Sequence, residues 1–393
     1  MSDAKPNILF VVNSLVTGGA ERHVVSLLNA LDTARFNLSL AYLKNSQDLL
    51  PSVKTDRLQS VTCCKVKSKI DGAGIKRLAT LISTLRIDVV VCTNDFSLFY
   101  AMLARRKVPR PLQIVDVYHT TFLRTLKEQL QMLFYRPLFR RCDTLVYVCT
   151  NQRNYWHRKG LRARAERVIH NGIDTGYFTD NFTLEDKVAV RERFGFDADD
   201  YVVGLCAALR PEKAHVDFLR AIARLRAAGL PARALLIGEG PERAFITAQI
   251  DRLGLSGNAV LTGLQADVRP AIASCDVMVL TSHAIETFSI AALESMAMAK
   301  PMVQTQIGGA DEQIFPGVNG FLYQPGDIGA LTMHLTALAE PRFRTKLGQT
   351  AAQTVREQFT LDKMVENYTT LLEDSSLAAA QQQTAYAERT RRG

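Results

Sequence analysis

The sequence predicts an α/β protein made of two doubly wound, parallel-sheet domains. Short apolar runs of strand length alternate with helical patterns along nearly the whole chain, a pattern that builds parallel sheets covered by helices. The alternation begins twice, at Asn7 and again at Tyr201. The 393 residues supply enough material for two cores of ordinary size. Hydrophobic residues make up 47% and charged residues 22%, the balance of a soluble globular protein.

Composition also excludes several classes. No apolar run approaches the roughly 18 residues of a membrane-spanning helix. The N-terminus, MSDAKPNILFVVNS, lacks a signal-peptide layout, because its apolar run is short and leads into a Gly-containing loop. The seven cysteines include no C-x-x-C pair, and Cys92, Cys149 and Cys206 lie in strand-like runs. They read as core thiols of a reducing compartment, not as a disulfide framework or a zinc site. These features point to a cytoplasmic protein.

The first domain opens on the buried strand NILFVV, Asn7 to Val12. The loop NSLVTGGAE follows, then a helix from about Ala20 to Leu31 with Val24, Val25, Leu28 and Leu31 on one face. Gly18 and Gly19 let the backbone approach a ligand at the carboxyl end of that strand, where open α/β sheets bind. A glycine pair after a strand is more often a plain turn, and the spacing is not the dinucleotide fingerprint. Further strands are expected at Leu38 to Leu43, Asp88 to Cys92, Leu112 to Tyr118, Thr144 to Cys149 and Arg167 to His170. His119 closes the run QIVDVYH, where it is either a structural residue or a ligand contact.

Two basic segments lie in this half. Lys65 to Arg86 carries Ile75, Leu78, Ile82 and Leu85 at helical spacing, with Lys76, Arg77 and Arg86 off that face. Phe122 to Arg141 repeats the style, with Leu126, Leu130 and Leu133 expected inside and Arg124, Lys127, Arg136, Arg140 and Arg141 outside. Residues 1–190 hold 28 Lys and Arg against 16 Asp and Glu, a balance of +12, while the remainder balances at −3. Each helix alone is an ordinary surface helix; with that charge the pair also suits an anionic membrane surface. No zinc finger, RNP motif or basic zipper supports nucleic acid as the anionic partner.

VIHNGID, Val168 to Asp174, ends the first domain, and a linker with a short charged helix (Leu184 to Phe194) follows. The second alternation runs through YVVGLCAAL, ARALLIGEG, AVLTG, VMVLTS, PMVQT and GFLYQPGD. Between its first strand and helix, ALRPEKAH places the cations Arg210 and Lys213 on a strand-to-helix loop, suited to neutralising a diphosphate. The central stretch is TSHAIETFSIAALESMAMAKP, Thr281 to Pro301. Its helix, Ser289 to Ala299, is apolar nearly all round and is expected to be buried on most sides. Glu294 is the only charge between Thr287 and Ala299, and a carboxylate there needs a partner, from the core or from a ligand. Glu286 stands just before the helix, whose free N–H groups at Phe288, Ser289 and Ile290 suit a phosphate.

Taken in order, GGAE, the strand-end His119, N-G-I-D, P-E-K, Glu286-x7-Glu294 and the G-G-x-x-E of QIGGADEQI resemble family 4 retaining glycosyltransferases, over about Asn7 to Glu373. The loops GEGPE and TGLQADV resemble that family's next two loops, and one departure stands out: Ala208 occupies the usual Arg place, with Arg210 two residues later. The resemblance implies a GT-B architecture, two facing Rossmann-like domains with the active site in the cleft. It implies an N-terminal acceptor domain over residues 1–177, a linker at 178–200 and a nucleotide-sugar domain at 201–358. A helix at 359–376 would return to the first domain, and the Ala/Gln-rich stretch at 377–393 is expected to be disordered. The implied reaction moves a sugar from a nucleotide diphosphate to a hydroxyl of a glycan acceptor, lipid-linked in bacterial envelope polysaccharide or lipopolysaccharide assembly. A soluble acceptor and a catalytically silent nucleotide-binding scaffold are the alternatives. By the resemblance, Arg210 and Lys213 with the N–H groups of Phe288 to Ile290 stabilise the diphosphate, which Gly18 and Gly19 adjoin. Glu294 holds the ribose, and Glu286 and His119 hold the transferred sugar. No cofactor or metal is expected: the one D-x-D match, Asp197 to Asp199, lies in the linker and suits a solvated turn.

Overall fold

The computed structural model describes residues 5–121 and 126–392. The chain divides into two compact units, one of Met1–Asn171 with Leu361–Gly393, the other Gly172–Thr360.

The first unit is built on seven strands: β1 (Asn7–Val12), β2 (Asn37–Tyr42), β3 (Ser60–Cys63), β4 (Val89–Thr93), β5 (Gln113–Tyr118), β6 (Thr144–Tyr147) and β7 (Ala165–Val168). They form one sheet in the order β3-β2-β1-β4-β5-β6-β7. Every pair is parallel, with Phe10 opposite Leu40 on one side and Val91 on the other. Helices cover the strands, so β1 and β4 are apolar and buried almost end to end, and β5 is buried throughout, with Gln113 and Asp116 among its apolar residues. The half-buried edge strand β3 has no apolar run and was not expected from the sequence.

The second unit holds β8 (Tyr201–Cys206), β9 (Ala232–Ile237), β10 (Ala259–Leu261), β11 (Val277–Leu280), β12 (Met302–Thr305) and β13 (Gly320–Tyr323). Their order is β10-β9-β8-β11-β12-β13, again all parallel. Strand order reverses between β1 and β4 in one sheet and between β8 and β11 in the other. Ligands of doubly wound sheets bind at such reversals, beyond the carboxyl ends of the strands. Both expected strand alternations are therefore present.

Three segments differ from expectation. A single helix runs from Leu361 to Arg392, where disorder was expected from residue 377. Alanine and glutamine are good helix formers, Ala379 is fully buried, and the Gln383 amide donates to Asp88 Oδ1 (3.3 Å) and Pro111 O (3.1 Å). The short charged helix expected within the linker is present as Leu184–Arg193, but it belongs to the second unit: a Thr183–Asp186 capping box starts it, and Arg191 pairs with Asp276 at 3.0 Å. The helix Leu126–Phe139 exists, but its apolar faces are exchanged. Leu130 and Leu133, expected inside, are 66% and 56% exposed, while Met132, Tyr135 and Phe139 pack inward. Tyr135 meets Phe99 and Phe139 meets Tyr118 at ring distances of 6.3 and 4.9 Å. Phe122, Arg124 and the side chains of Leu126 and Lys127 lie outside the described residues.

The other basic helix, Gly72–Thr84, buries Ile75, Leu78 and Ile82 as its spacing predicts. All seven cysteines are free thiols; Cys92 and Cys149 are buried and Cys206 is half-buried. Among the described residues, no helix is long and apolar enough to cross a membrane.

Candidate active site

In the second unit, the loop after β8 ends in a tight turn over Pro211–Lys213. Arg210 is exposed at its start, and Ala214 closes it in the left-handed region at φ +48°. The helix His215–Ala227 begins there. The loop after β11 crosses back to this turn at two points and to the helix after it at a third. Thr281 Oγ1 donates to Lys213 O at 2.7 Å, His283 N–H donates to Glu212 O at 2.9 Å, and His283 Nε2 meets Asp217 Oδ2 at 2.5 Å. The result is that Lys213 Nζ lies 2.6 Å from Glu286 Oε2, an oxygen that also accepts from Ser282 Oγ at 3.1 Å. A cation and a carboxylate are thus held against each other at the sheet's reversal point, with their side chains only 20% and 15% exposed. Desolvation, together with the positive charge of Lys213, pushes the neighbouring His215 imidazole down to about 4.

The backbone carrying Glu286 is held from behind by the glycines of QIGGADEQI. Gly309 N–H donates to Thr287 O at 2.7 Å. Gly308 adopts φ +59°, and a Cβ there would stand 1.8 Å from Glu286 O, so only glycine fits. Ile285 itself is left-handed at φ +58°, a conformation that disfavours a β-branched residue. The loop GEGPE packs on the cation loop in the same way: a Cβ at Gly240 would lie 2.5 Å from Leu209 O.

The helix Ile290–Ala297 follows, capped by Ser289 Oγ, which accepts from Ala292 N–H at 3.2 Å. Ser289 N–H is engaged by Gln313 Oε1 at 3.3 Å, and Phe288 is buried against Phe359, ring to ring at 5.4 Å. Glu294 is buried in the middle of this helix, as its isolation among apolar residues predicts.

In the first unit, Gly18 is the extended N-cap and Gly19 the first residue of the helix Gly19–Ala30. A Cβ on Gly18 would crowd the Glu21 carboxylate at 2.4 Å. His119 follows β5, and its N–H donates to Asn94 Oδ1 at 2.8 Å. Its ring meets that of His23 edge-on at 5.0 Å, and His23 Nε2 lies 3.1 Å from the Tyr368 hydroxyl. Burial drives the His23 imidazole down to about 4, against a side-chain hydrogen bond with Asn171 that raises it. Burial, and then His23, hold His119 well below the ordinary imidazole range. Both rings are therefore neutral at pH 7, suited to hydrogen bonding with hydroxyls and not to acting as cations.

Within the second unit, the structure brings Lys213, Glu286 and the start of the Glu294 helix into one framework, with Arg210 on the loop leading in. Within the first, it groups the Gly18–Gly19 helix start with His119 through His23. Thr281, Ser282, His283, Asp217, His23 and Tyr368 were missed in the sequence; the only local signal was the polar triplet Thr281-Ser282-His283 directly after a strand.

Comparison with known proteins agrees with this geometry. The family model for glycosyl transferases group 1 matches residues 186–354, and that for Glycosyltransferase Family 4 matches residues 17–177, one for most of each unit. The chain belongs to the family 4 glycosyltransferases and has their GT-B fold of two parallel-sheet domains. It is 26% identical over 277 residues to N-acetyl-alpha-D-glucosaminyl L-malate synthase of Bacillus anthracis, covering 70% of this chain and 71% of the relative. It is 27% identical over 310 residues to the putative glycosyltransferase EpsD of Bacillus subtilis, covering 76% and 80%. Anabaena HepE in complex with UDP superposes with a TM-score of 0.83 at 21% identity, over 94% of this chain and 100% of HepE. The protein is a glycosyltransferase, and it is 30% identical over 195 residues to the lipopolysaccharide core biosynthesis glycosyltransferase LpsE of Rhizobium meliloti, covering 49% of this chain and 56% of the relative.

Proposed function

We propose that this glycosyltransferase moves a sugar, with retention at the anomeric carbon, from a nucleoside diphosphate to a hydroxyl of a lipid-linked envelope glycan. The observation that carries the donor half is the Lys213–Glu286 pair at the sheet reversal. In this reading Lys213 and Arg210, helped by N–H groups at the start of the Glu294 helix other than that of Ser289, which Gln313 engages, take up charge on the leaving diphosphate. Gly18 and Gly19 adjoin that diphosphate from the first domain. Glu286 turns to hydroxyls of the transferred sugar, His119 binds the same sugar as a neutral ring, and Glu294 holds the ribose. The acceptor oxygen bonds to the anomeric carbon as the carbon–oxygen bond to the diphosphate breaks, and the acceptor proton passes to the departing phosphate. With two cations on the loop, the reaction is proposed to need no metal.

Solved relatives hold UDP and UDP-glucose, so uridine is the base to test first. Thermal-shift titration against UDP, GDP and ADP, with and without magnesium, should single out one diphosphate without the metal, with a stabilisation of about 2–4 kcal/mol at large excess. Glu286→Ala should then lower turnover about 10²–10³-fold at unchanged melting temperature. Undiminished turnover would take Glu286 out of the reaction, and nucleotide binding without any turnover in the wild type would return the chain to a binding scaffold. The acceptor is proposed to lie at the inner face of the cytoplasmic membrane, which the basic first domain suits. A soluble acceptor is the second reading, favoured by the relative named N-acetyl-alpha-D-glucosaminyl L-malate synthase. Incorporation of label into lipid extract, against small hydroxy acids, separates the two.

A further inference from the structure

The exchanged faces of the helix Leu126–Phe139 leave Leu130, Leu133 and Phe134 exposed at 66%, 56% and 59%. At spacings of three and four residues these side chains share one stripe. They adjoin a groove of about 270 Å³ lined by Met132 and by Tyr155 and Trp156 of the helix Thr150–Arg158. Cations rim it. Arg136 donates to Lys159 O, and Lys159 Nζ lies 5.9 Å from the centre of the Tyr155 ring. Arg136 and Lys159 line it, and Arg140, Arg141 and Arg158, close to them in the chain, are exposed. Among the described residues, two carboxylates of this region are already paired: Asp143 with Arg105 and Arg164, and Glu166 with His157.

We infer that this face docks the protein on an anionic phospholipid leaflet, with Leu130, Leu133 and Phe134 entering the acyl boundary and the surrounding cations meeting lipid phosphates. An interfacial helix combines such an apolar stripe with flanking Lys and Arg, and aromatic rings sit at headgroup level. Charge selects this occupant. Counted over the two units, the first balances at +14 and the second at −5. A second copy would bring the same positive face and be repelled. Nucleic acid would use the cations but leave the leucines in water. The inference deepens the reading of a membrane-borne acceptor and rests on it for its biological sense, while its test needs neither turnover nor an identified acceptor.

The test is co-sedimentation of the full chain with vesicles of phosphatidylglycerol and phosphatidylcholine, against pure phosphatidylcholine. The anionic vesicles should bind at least tenfold better, and added salt should weaken the binding. A Leu130→Ser/Leu133→Ser/Phe134→Ser variant should lose at least tenfold with melting temperature and nucleotide response intact. If that variant misfolds, the single Leu130→Ser change should still lose about threefold. Trp156 is the only tryptophan and lines the groove; brominated phosphatidylglycerol should quench it. Wild-type protein that ignores anionic vesicles, a folded triple variant that binds like wild type, or Trp156 unquenched in the bound state would each overturn the inference. So would concentration-dependent self-association that the triple variant abolishes. A lost nucleotide response with vesicle binding intact would instead count against the donor-site reading alone.

Discussion

The helix Ile290–Ala297 buries six of its eight residues, whereas the helix Leu126–Phe139 leaves three large apolar side chains in solvent. Both are rich in apolar residues, and both cover a sheet of the same kind. The first has small residues, Ala292 and Ala297, that let it lie close against its neighbours, and a serine cap that fixes where it starts. The second carries two apolar stripes. Met132, Tyr135 and Phe139 form one, and Leu130, Leu133 and Phe134 the other. The stripe with Tyr135 and Phe139 packs inward on Phe99 and Tyr118, and Phe134 of the other stripe also reaches Phe99, at 5.8 Å, yet stays 59% exposed. An apolar pattern therefore says that a helix has a face to bury, but not which of two faces goes in.

The comparison can be broken most directly by placing one charge in each helix. Leu293 is fully buried, so Leu293→Asp should cost at least about 4 kcal/mol and leave little folded protein. Leu133→Asp, at a 56% exposed site, should change stability by no more than about 0.5 kcal/mol. Chemical denaturation of the two variants decides it. Similar losses in both would mean that the Leu126–Phe139 helix packs by its leucine stripe after all.

The same contrast marks how far the sequence was legible. Lys213, Glu286 and Glu294 could be picked out because strand, loop and helix follow one another locally, so spacing alone fixes them on one side of the sheet. Both sheets were legible for the same reason, apart from β3, whose four residues carry no apolar run. His23 could not be found this way, since its partner Tyr368 lies 345 residues further on. Nor could Asp217, which reaches His283 across 66 residues. The helix to Arg392 was missed because an Ala/Gln composition suits both coil and helix, and only burial of Ala379 and the Gln383 bonds decide between them.

A second contrast is set by one buried histidine in each unit, His23 and His215, both lowered from 6.5 to about 4 by burial. Each is neutral when folded and free to protonate when unfolded. Its contribution is therefore complete above pH 6.5 and is lost as pH falls from there toward 4. Each shift corresponds to at most about 3 kcal/mol. Unfolding free energy measured at neutral pH and near the lower end of that window should fall more for wild type than for His23→Gln or His215→Gln. Equal falls in wild type and both variants would mean that these rings already reach solvent in the folded state.

The smallest effect concerns Ile285, which holds Glu286 in place through a left-handed backbone at φ +58°. That conformation costs a β-branched residue about 1–2 kcal/mol, and glycine would remove the cost while adding up to about 1 kcal/mol of unfolded-state entropy. Ile285→Gly should thus gain no more than about 1 kcal/mol, a rise of about 1–4 °C in melting temperature for a domain of this size. The gain in stability should come with a loss of turnover, because the Lys213–Glu286 geometry depends on a backbone pinned between Ile285 and the glycines behind it. A lower melting temperature would show that the side chain of Ile285, 37% exposed, contributes more by packing than its backbone costs. Higher stability with full turnover would show that Glu286 is held by Gly308, Gly309 and Ser282 without help from the strained residue before it.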